Sequence, residues 1–284
     1  MTYALLAALG AAVCSGVAAI LQARAVGTPA QVRRAGPALA LRLARSGTYL
    51  AGLALVGTGF LLSVVALHQL PVFVVAVARA CSLGVTALLA WPLLGVRLGR
   101  RELCALLALG AGLLLVVSAG EGGPPALVGS GVRWGLLVVL GLLVVLAFVI
   151  ERGHGPRAGV ALAAVAGLDF GLVGVAARIR PTGGLTELAS DPAMWVLAGA
   201  ALHGLVIYAA ALQRSTVTSA TAALVGLETL SGAAIGILLL GDSPRPGWAL
   251  AGAAGFALAL GGALVLAGSE ATRAAHPVSP EQIS

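Results

Sequence analysis

Nine stretches of this chain are each long and apolar enough to cross a lipid bilayer. They run over roughly 3–24, 47–67, 71–93, 102–119, 132–150, 158–179, 194–213, 216–240 and 247–267. A spanning helix needs about 20 mostly apolar residues. Inside hydrocarbon each backbone N–H and C=O must find its partner within the protein, which leaves helices as the only form for segments of this length. The expected architecture is therefore all-α: a polytopic transmembrane helical bundle of about nine spans. Residues 27–46 form no tenth span. They carry Arg33, Arg34, Arg42 and Arg45, and four guanidiniums in one span cost far too much. They read as a loop, and Leu39, Leu41 and Leu43 give part of it the means to rest on the bilayer surface.

Composition agrees. Hydrophobic residues make up 60% of the chain and charged residues 10%, whereas a soluble domain carries about a quarter charged residues. The 40 glycines are scattered through the apolar runs, as suits closely packed membrane helices. Cys14, Cys81 and Cys104 lie in or beside apolar segments without metal-ligand spacing and read as small buried apolar residues. Met1-Thr2-Tyr3 offers no basic region before the first apolar run, so residues 1–26 read as a retained first helix. The net charge of +7 arises from arginines spread over short loops, a pattern that excludes a single nucleic-acid patch.

Those arginines orient the chain. With the N-terminus outside, the inner side holds Arg24, Arg33, Arg34, Arg42, Arg45, Arg97, Arg100, Arg101, Arg152, Arg157, Arg214 and Arg273. The outer side holds only Arg133, Arg178, Arg180 and Arg245. The positive-inside rule thus selects N-out, C-in in a cell (plasma) membrane. Trp91, Trp134, Trp195 and Trp248 fall near predicted helix ends, where an interfacial indole is favoured. The polar residues 268–284 read as a disordered cytoplasmic tail.

Two stretches resemble each other, from Ala66-Leu67-His68-Gln69 to Leu93-Leu94-Gly95 and from Ala211-Leu212-Gln213-Arg214 to Leu239-Leu240-Gly241. The alignment needs a one-residue gap. Residues 1–119 then form a first four-helix repeat, 120–157 an outer loop and connector helix, and 158–267 a second four-helix repeat. A single connector helix inverts the second repeat relative to the first, an arrangement typical of secondary transporters.

Ala66 to Val117, with its ALHQLPVF turn, LLAWPLLG helix end and ALGAGLLLV helix, resembles the drug/metabolite transporter superfamily. The SGVAAILQARAV segment (Ser15–Val26) and the helix count are more similar to its NIPA-like magnesium transporter branch, beside the EamA-like branch. The resemblance implies transport of Mg²⁺ or a metabolite. The family often has a glutamate after the glycine ending this helix. Here Val96 and Arg97 follow Gly95, and Asp242 follows Gly241.

Ionisable side chains within spans are costly and mark function by default. Arg79, Asp169, His203 and Glu228 each lie about 12–18 Å from the outer end of a predicted helix, near the middle of the bilayer. They read as lining one polar cavity, the substrate or coupling-ion site, in which Arg79 pairs with Glu228. In the gapped alignment Glu228 matches Ser82, one turn from Arg79. With Arg charged and His neutral, two carboxylates leave one negative charge for a proton or a cation. If a cation binds, Asp169 and Glu228 are its ligands, although Arg79 suits an organic anion or zwitterion better. Arg178, His68 and Gln22, near helix ends, read as snorkelling. Gly167 and Gly171, and Gly232 and Gly236, have the spacing of close helix packing.

No nucleotide-binding loop, catalytic motif or cofactor fingerprint appears. The expectation is a secondary transporter, not an enzyme. Its partners are the lipid bilayer and a small solute or cation, and a homodimer is compatible with such a chain. The rival reading is a non-transporting scaffold or accessory subunit. The two differ in whether the midplane charges line water or a dry core.

Overall fold

The computed structural model describes residues 2–26, 45–94, 99–121, 123–153, 155–179, 190–215 and 217–275. Among these the chain forms nine long helices: α1 (Thr2–Val26), α2 (Gly47–Leu67), α3 (Val72–Leu94), α4 (Arg100–Ala119), α5 (Ser130–Glu151), α6 (Pro156–Arg178), α7 (Pro192–Arg214), α8 (Val217–Leu239) and α9 (Ala249–Ala275). All nine are long and apolar enough to cross a membrane. Large apolar side chains point away from the bundle, among them Leu107, Leu114, Leu142, Leu202 and Leu250, the last 87% exposed. Such a surface on helices of this length suits contact with lipid. The protein is a multi-pass helical membrane protein.

Helix ends follow local chemistry. Ser46 caps α2 by accepting from the Tyr49 N–H. Asp191 caps α7 by accepting from the Ala193 N–H at 2.9 Å. Proline stands at the start of α6 and α7, where its missing N–H costs nothing. Pro71 separates α2 from α3 in the same way, at the end of a turn through His68, Gln69 and Leu70.

α3 and α8 pack against each other near the middle of the bundle, and each touches α6 and α9. α1 lies against α2 and α3, while α6 lies against α7 and α8. α4 and α9 pair along their length, and α5 lies against α6 and α7. The α4–α9 seam is built on glycine. A Cβ on Gly112 would lie 2.5 Å from the Ala259 nitrogen and the Gly255 oxygen, and one on Gly262 would lie 2.6 Å from the Ala105 oxygen. Gly167 and Gly171 likewise put α6 directly on the backbone of α8.

Several expectations are corrected. α9 continues to Ala275, beyond Gly268, because Ala, Glu and Arg sustain a helix that has left the bilayer. Cys104 is exposed on α4, while Cys14 and Cys81 are only half-buried; a thiol is apolar enough to face lipid. The surface-lying segment over Leu39, Leu41 and Leu43, the side chain of Trp91, and residues 95–98, 180–189 and 276–284 lie outside the described residues. Trp134, Trp195 and Trp248 stand exposed at or near the starts of α5, α7 and α9.

The seam sets a contrast between two nearby glycines of α4. Gly112→Leu forces α4 from α9 and is expected to cost about 1–3 kcal/mol of stability, as overpacking does. At Gly110 a Cβ meets nothing within 4 Å, so Gly110→Leu should be neutral. Thermal unfolding of the purified variants in detergent checks this; equal melting temperatures would contradict the seam.

Candidate functional site

The four midplane residues form two pairs. Arg79 of α3 and Glu228 of α8 lie 3.1 Å apart, as Nη2 to Oε1. Asp169 of α6 and His203 of α7 lie 2.8 Å apart, as Oδ2 to Nδ1. Helical geometry keeps the pairs separate. Successive residues turn by about 100°, so Asp169 points away from the face that Gly167 and Gly171 press against α8 beside Glu228. Asp169 faces α7, where Gly204 leaves room for it: a Cβ there would stand 3.2 Å from that of Asp169.

The environments differ. The Arg79 and Glu228 side chains retain 36% and 15% of their exposure. A cavity of about 180 Å³ lies beside them, lined by Ser15 of α1, Ala76, Ser82 and Leu83 of α3, and Leu224 and Thr229 of α8. A narrow cleft of about 20 Å³ lies on their other side, towards Val72, Gly174 and Gly232. The ion pair thus separates two spaces along α3 and α8. Asp169 is 0% exposed, and its Oδ1 has no hydrogen-bond partner among the described residues.

Charge accounting follows. Arg79 and Glu228 neutralise each other. Asp169 with a neutral His203 is one negative charge in a dry interface, and a single proton on the pair cancels it. The unbalanced charge therefore belongs to Asp169–His203. Asp169 is engaged by His203 and Glu228 by Arg79. No group of three or more His, Cys, Asp or Glu side chains that could hold a metal occurs among the described residues.

Two further buried ion pairs escape a reading of the sequence. Arg178, at the end of α6, is buried and places Nη2 3.3 Å from Asp242 Oδ1. Its Nη1 donates to the Pro124 carbonyl at 2.7 Å. The expectation of a snorkelling Arg178 is thus corrected, because a carboxylate and a carbonyl replace the water it would otherwise seek. Asp242 Oδ2 accepts from the Val72 N–H at 2.6 Å. Burial pushes the Asp242 carboxyl above its usual range, and the Val72 amide and Arg178 oppose part of that rise. Arg133 of α5 pairs with Asp191, the cap of α7, both buried. His68, half-buried, donates from Nδ1 to the Val64 carbonyl at 2.7 Å. The available signals were Asp191 directly before Pro192, and Asp242 beside arginines on the arginine-poor side.

The Asp169–His203 pair makes a quantitative statement. His203→Leu strands a buried carboxylate and is expected to cost about 3–5 kcal/mol, as does breaking a buried pair from one side. Asp169→Asn keeps an acceptor for His203 and should cost far less. Chemical or thermal unfolding of the two variants compares them, and equal losses would contradict a dry pair.

No protein-family model, curated protein or solved structure matches this chain, so a functional assignment rests on the site itself.

Proposed function

We propose that this protein is a secondary transporter that moves a small polar solute by alternating access, with Arg79 and Glu228 in the solute path. The observation that carries this reading is the placement of that ion pair. It lies mid-span between the two central helices, half open, with a cavity of about 180 Å³ on one side and a cleft of about 20 Å³ on the other. A scaffold has no use for a cavity beside a mid-span charge pair, because packed protein groups would satisfy the pair without one. A carrier needs groups at the midplane that can exchange their mutual contact for contact with a solute.

The helix packing supports the same reading. The contacts α1–α2, α1–α3, α2–α3 and α3–α4 have counterparts in α6–α7, α6–α8, α7–α8 and α8–α9. The pairs α3–α8 and α4–α9 join equivalent helices across the middle. These contacts fit two four-helix repeats related by a pseudo-two-fold axis, with α5 as a connector whose odd helix would invert the second repeat. Alternating access then amounts to one repeat rocking against the other about α3 and α8.

Arg79 makes the cavity unsuited to a bare divalent cation. A solute with an anionic group, or with both signs, exchanges with the pair without leaving net charge at the midplane. Asp169–His203, which changes net charge with one proton, fits the coupling site.

Proteoliposome flux against a panel of amino acids, organic anions and Mg²⁺ tests the proposal. Wild-type protein should move at least one organic solute, and Glu228→Gln should abolish that flux without loss of folded protein. Arg79→Ala should lower stability, and Arg79→Ala/Glu228→Gln should recover part of it but no flux. Normal transport by Glu228→Gln would reduce the pair to a structural one.

A further inference from the structure

Among the described residues, the ion pairs at the two ends of the bundle differ. At the end where α6 and α8 finish and α3 begins, Asp242 ties three segments together. Its own N–H donates to the Gly236 carbonyl at 3.0 Å, closing the end of α8 through Gly241, whose φ of 72° suits glycine. Its carboxylate accepts from the first residue of α3 and pairs with the last of α6. Arg178 in turn holds the segment after α4: its Nη1 donates to the Pro124 carbonyl, and its own carbonyl accepts from the Ala126 N–H at 2.9 Å. The Arg245 N–H donates to the Ala119 carbonyl at 2.8 Å beside it. The Arg178 and Asp242 side chains are 5% and 2% exposed.

At the opposite end Arg214 reaches Glu151 at 3.5 Å, with side chains 29% and 55% exposed. An exposed pair of that kind contributes little.

The two spaces beside the Arg79–Glu228 pair differ in the same sense, while a separate apolar cavity of about 490 Å³, lined by Phe73, Ile237 and Pro244, lies at the Asp242 end away from the pair. Val72, which donates to Asp242, also lines the narrow cleft, together with Gly174 and Gly232. The larger space beside the pair, with Ser15, Ser82 and Leu224, extends from the ion pair towards the opposite end. The buried cluster is thus the roof of the narrow side.

We propose that Asp242 and Arg178 form the gate at this end of the solute path, closed in this structure, and that they separate when the path opens here. The inference rests on the transport reading above. A buried ion pair suits a gate better than apolar packing does. Closed, it has a defined geometry fixed by four hydrogen-bonding partners. Open, both charges regain water, and that hydration offsets their mutual attraction. Two arrangements of similar free energy are what a switching element requires. The elements it joins, α3, α6 and the ends of α4 and α8, come from both repeats, so opening it is equivalent to moving one repeat against the other at this end.

The test requires no identified solute. In protein lacking Cys14, Cys81 and Cys104, Gly174→Cys places a thiol in the cleft below the gate, where a Cβ has room, its nearest neighbour being Val72 at 3.7 Å. A membrane-impermeant maleimide is applied from each face of oriented vesicles. With Asp242 intact, labelling from the gate face should be slow. Asp242→Asn should accelerate it by about tenfold or more, the shift expected when the closed state alone is deprived of its ion pair. Arg178→Lys, which keeps a cation but removes the second N–H for Pro124, should give an intermediate rate and supplies the same comparison if Asp242→Asn does not fold. Unchanged labelling from the gate face in a folded variant would overturn the gate. That result would leave the Glu228 flux result standing, while a gate that responds in a protein that moves no solute would sink the transport reading and not the latch.

Discussion

A charge inside a bilayer must find an opposite charge or water, and this structure is arranged around that requirement. The apolar surface does not specify which helix meets which, because lipid is as apolar as leucine. Specificity comes from close backbone approach and from polar pairs. Glycines set the α4–α9 and α6–α8 seams. Polar and charged pairs set others: Arg79–Glu228 joins α3 to α8, Asp169–His203 joins α6 to α7, Arg133–Asp191 joins α5 to α7, and Arg178–Asp242 joins α6 to the segment after α8. Moving any one of the helical residues among these by one position would turn it by about 100° and strand its partner.

The pairs differ in how dry they are, and on the transport reading that difference separates support from function. Arg133–Asp191 and Arg178–Asp242 are almost fully buried at one end of the bundle. Asp169–His203 is buried mid-span on the carboxylate side. Arg79–Glu228 combines a midplane position with an adjoining cavity. A scaffold reading predicts that all four are dry. A carrier reading predicts that one of them is wetted from one side at a time, with a closed end opposite, and the arrangement of cavity, pair, cleft and buried cluster along α3 and α8 fits that order.

The spans were legible in the sequence because hydropathy over about 20 residues is a sum that tolerates local exceptions. Arg79–Glu228 was legible because both residues stand at one depth in helices with repeated sequence. Asp169 and His203 were recognisable as costly residues, but not as a pair facing away from Glu228. That depends on the rotation of α6, which is set by glycines whose partners lie on α8. The partner of Arg178 was hidden because a long side chain at a helix end has two ways to satisfy its charge, water or a carboxylate. Asp242, 64 residues along the chain, comes close only after the bundle has formed. The length of α9 was hidden too, because hydropathy marks where a helix leaves the lipid, not where its hydrogen bonds end.

Water at the midplane decides the central claim. Ser82 lines the cavity beside Arg79, and Ser82→Cys in protein lacking the native cysteines puts a thiol at that depth. A small, charged, water-soluble thiol reagent should modify it in the bilayer from the face opposite the Asp242 cluster, while Ala163→Cys, fully buried at 0% exposure between apolar neighbours, should stay unmodified. If Ser82→Cys is as inert as Ala163→Cys in folded protein, the Arg79–Glu228 pair lies in a dry core and no solute path runs past it.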